Sequence, residues 1–192
     1  MRKIILASAS VWRREILEKT RIPFTVEVSD FKEDLTLDLS PEELVETLAT
    51  GKAETVAIKH TDAIVIGADT IAELGGEVIG KPYTPEKAIE VLSRLSGQTH
   101  NVHTGYCIID TKTGERRSGV STSRVTFRVL TKSEIAVYVA TGEPLLAGGA
   151  YTIQTGAASF VSHIDGDFYS IVGLPISTIV LELAKLSVIS QS

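Results

Sequence analysis

Apolar and polar positions along this chain alternate between two rhythms, and the alternation predicts strands and helices in turn. Lys3 to Ala7 is a short apolar run of the kind that forms a buried strand, and Ser10 to Lys19 follows it with helical spacing. Phe24 to Val28 alternates like a strand. Ser40-Pro41-Glu42-Glu43 is the strongest local signal: a serine cap, proline at the first helical position and glutamate three residues past the cap. The helix it opens is expected to run to about Lys59, burying Leu44, Val45, Leu48, Ala49, Ala53 and Val56. Ala63 to Leu74 reads as a central strand, and Gly75-Gly76 as a tight turn into Glu77 to Ile79.

Thr84-Pro85 opens a further helix, which Gly97 ends. Two β stretches, Thr99 to Ile109 and Ser118 to Val129, turn at Thr113-Gly114. Thr131 and Glu134 repeat the capping-box spacing, and Gly142 closes the helix they start. After a glycine-rich segment, Ala147 to Gly156, strands are expected at Ala158 to Ile164 and Phe168 to Ile171, flanking Asp165-Gly166. A last helix covers Pro175 to Leu186. Helical crossovers imply parallel neighbours and hairpins imply antiparallel ones, so the class is α/β with a mixed sheet. No repeat or long linker interrupts the pattern, and residues 1–192 read as a single domain.

Composition narrows the function classes. The net charge of -5 argues against a nucleic-acid binder, which needs a basic field. No apolar run approaches the 18 or so residues that span a bilayer, and the apolar start after Arg2-Lys3 stops at Ser8, too soon for an export signal. The single cysteine, Cys107, can form no internal disulfide, which points to a cytoplasmic setting. Familiar signatures are missing: no GxxxxGK[ST], no GxGxxG, no GxSxG. His100 and His103, three apart in a strand, fall on opposite faces and do not share a metal.

Two segments are left to carry chemistry. Leu6-Ala7-Ser8-Ala9-Ser10-Val11-Trp12-Arg13-Arg14 runs from a strand through small residues into a helix N-terminus, where unpaired N–H groups and a positive dipole end favour an anion. Cations are disfavoured there, so Arg13 and Arg14 imply an anion that offsets the cost; a surface helix that happens to hold two arginines is the alternative. Asp69, in Gly67-Ala68-Asp69-Thr70, ends an apolar strand where α/β sheets collect ligands. It can hold a divalent cation or orient a water, or it can cap a turn. Glu33, in the acidic stretch Asp30 to Asp34, is a second carboxylate that a solvated loop explains equally well. Lys52, in a capped helix, is expected at the surface. Lys81, between Gly80 and Pro82, lies in a loop of the kind that carries function.

In order and spacing, Leu6-Ala7-Ser8-Ala9-Ser10 with Arg13-Arg14, Lys52-Ala53, Gly67-Ala68-Asp69-Thr70, Gly80-Lys81-Pro82, Leu95-Ser96-Gly97-Gln98-Thr99-His100, Gly149-Ala150-Tyr151 with Ile153-Gln154, and Val172-Gly173-Leu174-Pro175 resemble the Maf family of nucleotide pyrophosphatases over nearly the whole chain. The resemblance implies a two-lobed Maf-like fold, akin to inosine triphosphatase, with a central mixed β-sheet flanked by helices and a cleft between the lobes. It implies hydrolysis of a nucleoside triphosphate to the monophosphate and pyrophosphate, with Mg²⁺ or Mn²⁺, by a homodimer. Asp69 would accept a proton or bind the metal and Glu33 would add a second acid. Ser8, Arg13, Arg14, Lys52 and Lys81 would grip the polyphosphate. The base is read from a mixed set. The family branch that favours dTTP and UTP shares Thr70 and Gln154 but has arginine at Trp12; the 7-methyl-GTP branch shares Trp12 alone. Two positions against one favour dTTP and UTP, with Trp12 either stacking on a base or packing the helix start. Leu146 stands where the family usually has lysine. The rival from another class is a nucleotide-binding regulator of cell division that does not turn over.

Overall fold

The computed structural model describes residues 2–189; residues 1 and 190–192, which the single-domain reading included, lie outside them. Seven strands form one mixed sheet in the order β2-β1-β3-β5-β6-β7, with β4 paired to β3. They are β1 (Lys3–Leu6), β2 (Thr25–Val26), β3 (Ala63–Leu74), β4 (Glu77–Ile79), β5 (Thr99–Asp110), β6 (Arg116–Phe127) and β7 (Val161–Asp165). The helices are α1 (Val11–Glu18), α2 (Pro41–Ala57), α3 (Pro85–Leu95), α4 (Lys132–Ala140), α5 (Phe168–Val172) and α6 (Ile176–Lys185). None of them is long and apolar enough to cross a membrane.

The chain divides into two compact units. One comprises the stretch up to Asp69, Thr104–Ser121 and the chain from Gly173 onward; the other comprises Thr70–His103 and Thr122–Val172. In the first unit β1 runs parallel to β2 and to β3, with Ile4 opposite Ile64 and Leu6 opposite Ile66, so helical crossovers do join parallel strands. Both faces of β3 are covered from Ala63 to Asp69, as expected for a strand inside a parallel sheet. Ile5, Ala53, Val56, Val65, Cys107 and Ile109 pack together there. Cys107 is 1% exposed, and burial pushes its thiol pKa up.

The helix α2 lies unusually close to this sheet. A Cβ on Gly67 of β3 would stand 2.3 Å from the Ala49 carbonyl oxygen, and one on Gly105 of β5 would stand 2.2 Å from that of Val45. Glycine at both points lets the helix backbone rest on the strands. The start of α2 is the predicted capping box: Ser40 Oγ accepts from Glu43 N–H at 3.3 Å, and a Glu43 carboxylate oxygen accepts from Ser40 N–H at 2.9 Å.

In the second unit β3 turns at Gly75-Gly76 into antiparallel β4, and β6 pairs antiparallel with β7. Leu92 and Leu95 of α3 and Ile135, Tyr138 and Val139 of α4 close over a core that includes Phe127, Tyr151 and Phe160. Phe127 meets Tyr151 edge to face at 4.9 Å between ring centres, and Tyr138 meets Phe160 likewise at 5.2 Å.

Three local expectations change. Phe168 to Ile171, expected as a strand, is the helix α5, because Asp167 caps it: its carboxylate accepts from Tyr169 N–H at 2.8 Å and its carbonyl from Ile171 N–H at 3.2 Å. The strand expected from Ala158 begins only at Val161, after a 3₁₀ turn over Gly156–Phe160. The strand expected over Phe24 to Val28 shrinks to Thr25–Val26, both exposed.

Candidate active site

Five of the residues singled out by sequence meet in the first unit, beyond the end of β1 and beside the middle of β3. Asp69, expected to end its strand, lies part-way along it, because the pairing continues to Leu74. Beyond Leu6 the chain leaves the sheet, and Ser8 is buried with its Oγ accepting from Ser10 N–H at 3.1 Å. Ser10 then caps α1 by accepting from Arg13 N–H at 3.3 Å, which places Arg13 in the first helical turn. The Arg13 guanidinium turns back over that helix start: Nε donates to the Gly173 carbonyl at 2.8 Å and Nη1 lies 3.5 Å from Ser8 Oγ. Burial pulls the Arg13 pKa below its usual range, while the carboxylates of Asp69 and Glu33 pull it back up. Guanidinium never deprotonates in practice, so the cluster holds a permanent, partly dehydrated cation.

Lys52 corrects the expectation of a surface residue. It is 9% exposed, because α2 sits so tightly on β3 at Gly67 that the residue one turn on is enclosed. Gly67 and Asp69 are two apart on β3 and share a face, and that face carries α2. Lys52 therefore reaches Asp69 directly, and its Nζ donates to Asp69 Oδ1. The same Nζ lies 2.5 Å from Glu33 Oε1. Asp69 is buried, whereas the Glu33 side chain is 42% exposed, so one ammonium ties a buried acid to one open to solvent.

Two carboxylates held by one removable cation make a hard-oxygen donor pair. That pair fits a divalent cation which completes its shell with water and phosphate oxygens, as Mg²⁺ does. Among the described residues no group of three or more His, Cys, Asp or Glu side chains is placed to cage a metal by itself. Arg13, Lys52, Asp69 and Glu33 balance to no net charge, so a metal on the acids would free the Lys52 ammonium for anionic oxygens and leave the cluster net positive.

Arg14 does not join them: it faces solvent and pairs with Glu18 at 2.8 Å, one turn along α1. Trp12 is half-buried at the second position of the same helix. In the second unit Lys81 is exposed on the loop after β4. That loop is pinned by Tyr83, whose backbone takes a left-handed φ of 61° and whose N–H donates to the Leu145 carbonyl at 3.0 Å. Thr70 is half-buried, and a Cβ on Gly148 of the glycine-rich segment would lie 3.8 Å from its carbonyl oxygen. Leu146 is 72% exposed.

Gln154 is half-buried in a segment organised by a residue the sequence did not mark. Glu143 Oε1 accepts from Tyr138 Oη at 2.7 Å, Thr155 Oγ1 at 2.7 Å, Gly156 N–H at 3.2 Å and the Thr152 hydroxyl. These donors, rather than a cation, hold its pKa below the usual carboxylate range against the effect of burial. Thr152 and Thr155 bracket Gln154, so one acid fixes the segment on both sides of it. An acid after Gly142 reads in sequence as a solvated loop residue; only the folded contacts show otherwise. Gly67, in contrast, carried a usable signal, since glycine inside a strand marks a close backbone approach.

His100 and His103 take separate surroundings, as their spacing predicted. His100 Nε2 pairs with Tyr151 Oη at 2.8 Å, and His103 Nδ1 with Thr122 Oγ1 at 2.9 Å.

The profile of the family described as Maf-like protein matches residues 3–186. The chain belongs to the Maf family. Curated relatives cover it almost end to end. A dTTP/UTP pyrophosphatase of Desulforamulus reducens is 47% identical over 177 residues, 92% of this Maf chain and 93% of that protein. One of Bacillus mycoides is 46% identical over 185 residues, 96% of each. Among solved structures, a HAM1 protein from Coxiella burnetii superposes with a TM-score of 0.50 over 95% of this chain and all of its own, at 14% identity. That likeness is one of fold, and it joins this Maf chain's mixed α/β architecture to the HAM1 proteins.

Proposed function

We propose that this protein is a nucleoside triphosphate pyrophosphatase that hydrolyses dTTP and UTP to the monophosphate and pyrophosphate. The observation that carries the reading is the buried Lys52 joining Asp69 and Glu33 beside Arg13 and Ser8. Water attacks the α-phosphorus, the bond from that phosphorus to the oxygen bridging to the β-phosphate breaks, and pyrophosphate leaves. Asp69, aided by Glu33, accepts the proton from the attacking water. Arg13, Lys52 and Lys81, with Ser8, hold the phosphate oxygens and offset the charge that grows on them. Arg14 adds a more distant positive charge. A divalent cation, Mg²⁺ or Mn²⁺, would be held by Asp69 and Glu33 and would supply Lewis-acid polarisation of the phosphates.

Thr70 and Gln154 would read the base, Gln154 offering a donor and an acceptor to the carbonyl and N–H edge of a pyrimidine. The relatives named dTTP/UTP pyrophosphatase support that choice. Trp12 favours a second reading, 7-methyl-GTP, because an indole attracts a cationic purine. The working unit proposed is a single-domain chain acting as a homodimer in the cytoplasm, on free nucleotides and not on nucleic acid.

The test is pyrophosphate release across dTTP, UTP, the other common triphosphates and 7-methyl-GTP, with Mg²⁺ or Mn²⁺ and with chelator. Release from dTTP and UTP that chelation stops is the expected result. A preference for 7-methyl-GTP replaces the pyrimidine assignment. Nucleotide binding without turnover under every metal replaces the enzyme with a regulator. Asp69→Asn is expected to abolish release while nucleotide affinity stays within about tenfold.

A further inference from the structure

We infer that Phe31 and Gly51 form a ring-and-socket contact that positions Glu33 against Lys52. The inference rests on the reading of Glu33 given above. Between Asp30 and Leu39 the chain has neither helix nor strand, and Phe31 is the one residue of that stretch that is not exposed. Its ring occupies the space a side chain on Gly51 would fill: a Cβ there would stand 2.3 Å from Phe31 Cε2 and 2.4 Å from Cζ. Glycine is a poor residue for the interior of α2, and the seated ring supplies a reason for it.

The contact belongs to a short series along one stretch of helix. Ser29 Oγ pairs with Thr55 Oγ1 at 2.6 Å and accepts from Phe31 N–H at 3.1 Å, and Thr55 Oγ1 in turn donates to the Lys52 carbonyl at 3.1 Å. Ser29, Phe31 and Glu33, alternate residues of the segment, thus each meet α2, at Thr55, Gly51 and Lys52. Two of the three contacts hold the backbone; the third is the functional one. The Glu33–Lys52 ion pair is open to solvent on the Glu33 side, and a pair of that kind positions a loop only weakly by itself. The ring and Gly51 also form part of the wall of a groove of about 380 Å³, with Thr47, Thr50, Glu43, Glu46 and Glu54.

The experiment uses the whole protein and measures pyrophosphate release from dTTP with Mg²⁺, together with thermal melting. The variants are Phe31→Ala, Gly51→Ala, Glu33→Gln and the double variant Phe31→Ala with Glu33→Gln, at enzyme concentrations that make Glu33→Gln measurable. Phe31→Ala and Gly51→Ala are each expected to lower kcat by about 10- to 100-fold, the range that misplacement by an ångström produces, with KM within about threefold. Gly51→Ala keeps or raises the melting temperature, since alanine favours the helix, which separates misplacement from unfolding. In the Glu33→Gln background Phe31→Ala costs nothing further, because the ring acts through that carboxylate. Equal fractional losses in both backgrounds overturn the inference. So do near-normal rates in Phe31→Ala and Gly51→Ala beside a crippled Glu33→Gln, an outcome that leaves the role of Glu33 standing. A Glu33→Gln enzyme as fast as the parent overturns both.

Discussion

Replacing Gly67 by alanine tests whether the seating of α2 on β3 sets the chemistry. The added methyl would lie 2.3 Å from the Ala49 carbonyl oxygen and 2.8 Å from the Ala53 nitrogen, both backbone atoms that cannot rotate aside. An ordinary carbon–oxygen contact is about 3.4 Å or more, so the helix must retreat by roughly 1 Å. Lys52 sits between those two contact points, and its ammonium moves with them, away from Asp69. Overpacking of this kind costs about 1–3 kcal/mol, which a domain with about 5–15 kcal/mol of stability survives. Turnover should suffer more: a displacement of 1 Å at a catalytic group costs on the order of 100-fold. Gly105→Ala is the control. Its methyl would meet Val45 at 2.2 Å, pushing the same helix about two turns before Lys52. Both variants should melt earlier by comparable amounts, but kcat for dTTP should fall about 100-fold in Gly67→Ala and less than about tenfold in Gly105→Ala. Equal kcat losses, or a Gly67→Ala enzyme within twofold of the parent, would refute the reasoning.

Other consequences can be checked in the same assays. Arg13→Ala should lower kcat/KM for dTTP by more than about tenfold and Arg14→Ala by less than about threefold, because only Arg13 turns toward Ser8 and the acids; similar losses would put both arginines on the substrate. Glu143→Gln should narrow the kcat/KM preference for dTTP over dCTP by about tenfold while hydrolysis continues, since the charge that gathers four donors around Gln154 is gone; an unchanged ratio would sever Glu143 from base choice. Burial pushes the His100 imidazole down to about 4 from its ordinary 6.5, so the fold excludes a proton that the unfolded chain binds. Stability is then full above pH 6.5 and lost as pH falls, by about 1.4 kcal/mol per unit. Between pH 6.5 and 5, above the carboxylate range, urea unfolding should show about 2 kcal/mol more acid loss in the parent than in His100→Gln. Parallel profiles would contradict it.

Sequence made most of this fold legible because its punctuation is chemical. Ser40 and Thr131 with their glutamates, Pro85 after Thr84, and glycines 97, 114 and 142 mark ends by capping or by left-handed backbone, and each does so in the structure. Where the outcome is set by a distant partner, the pattern misled. Phe168 to Val172 is too short for periodicity to tell helix from strand, and its cap is itself held by Ser123, 44 residues away. Lys52 looked exposed because amphipathic spacing describes one helix face, whereas α2 is enclosed further by its approach to Gly67. The meeting of Ser8, Arg13, Glu33, Lys52 and Asp69 could be suspected from motif order; that Arg14 turns outward to Glu18, and that Glu143 gathers the segment around Gln154, depends on contacts made only in the folded chain.

The lone thiol of Cys107 gives the molecule a built-in clock. It sits sealed between β-sheet and helix in the unit that also holds the acidic pair and Arg13, and burial keeps it in its unreactive protonated form. An alkylating reagent can modify this chain only when that unit opens, and there is no second sulfhydryl to confuse the record. Labelling rates measured with and without nucleotide would therefore time how tightly a bound triphosphate latches that half of the protein, without any mutation or attached probe.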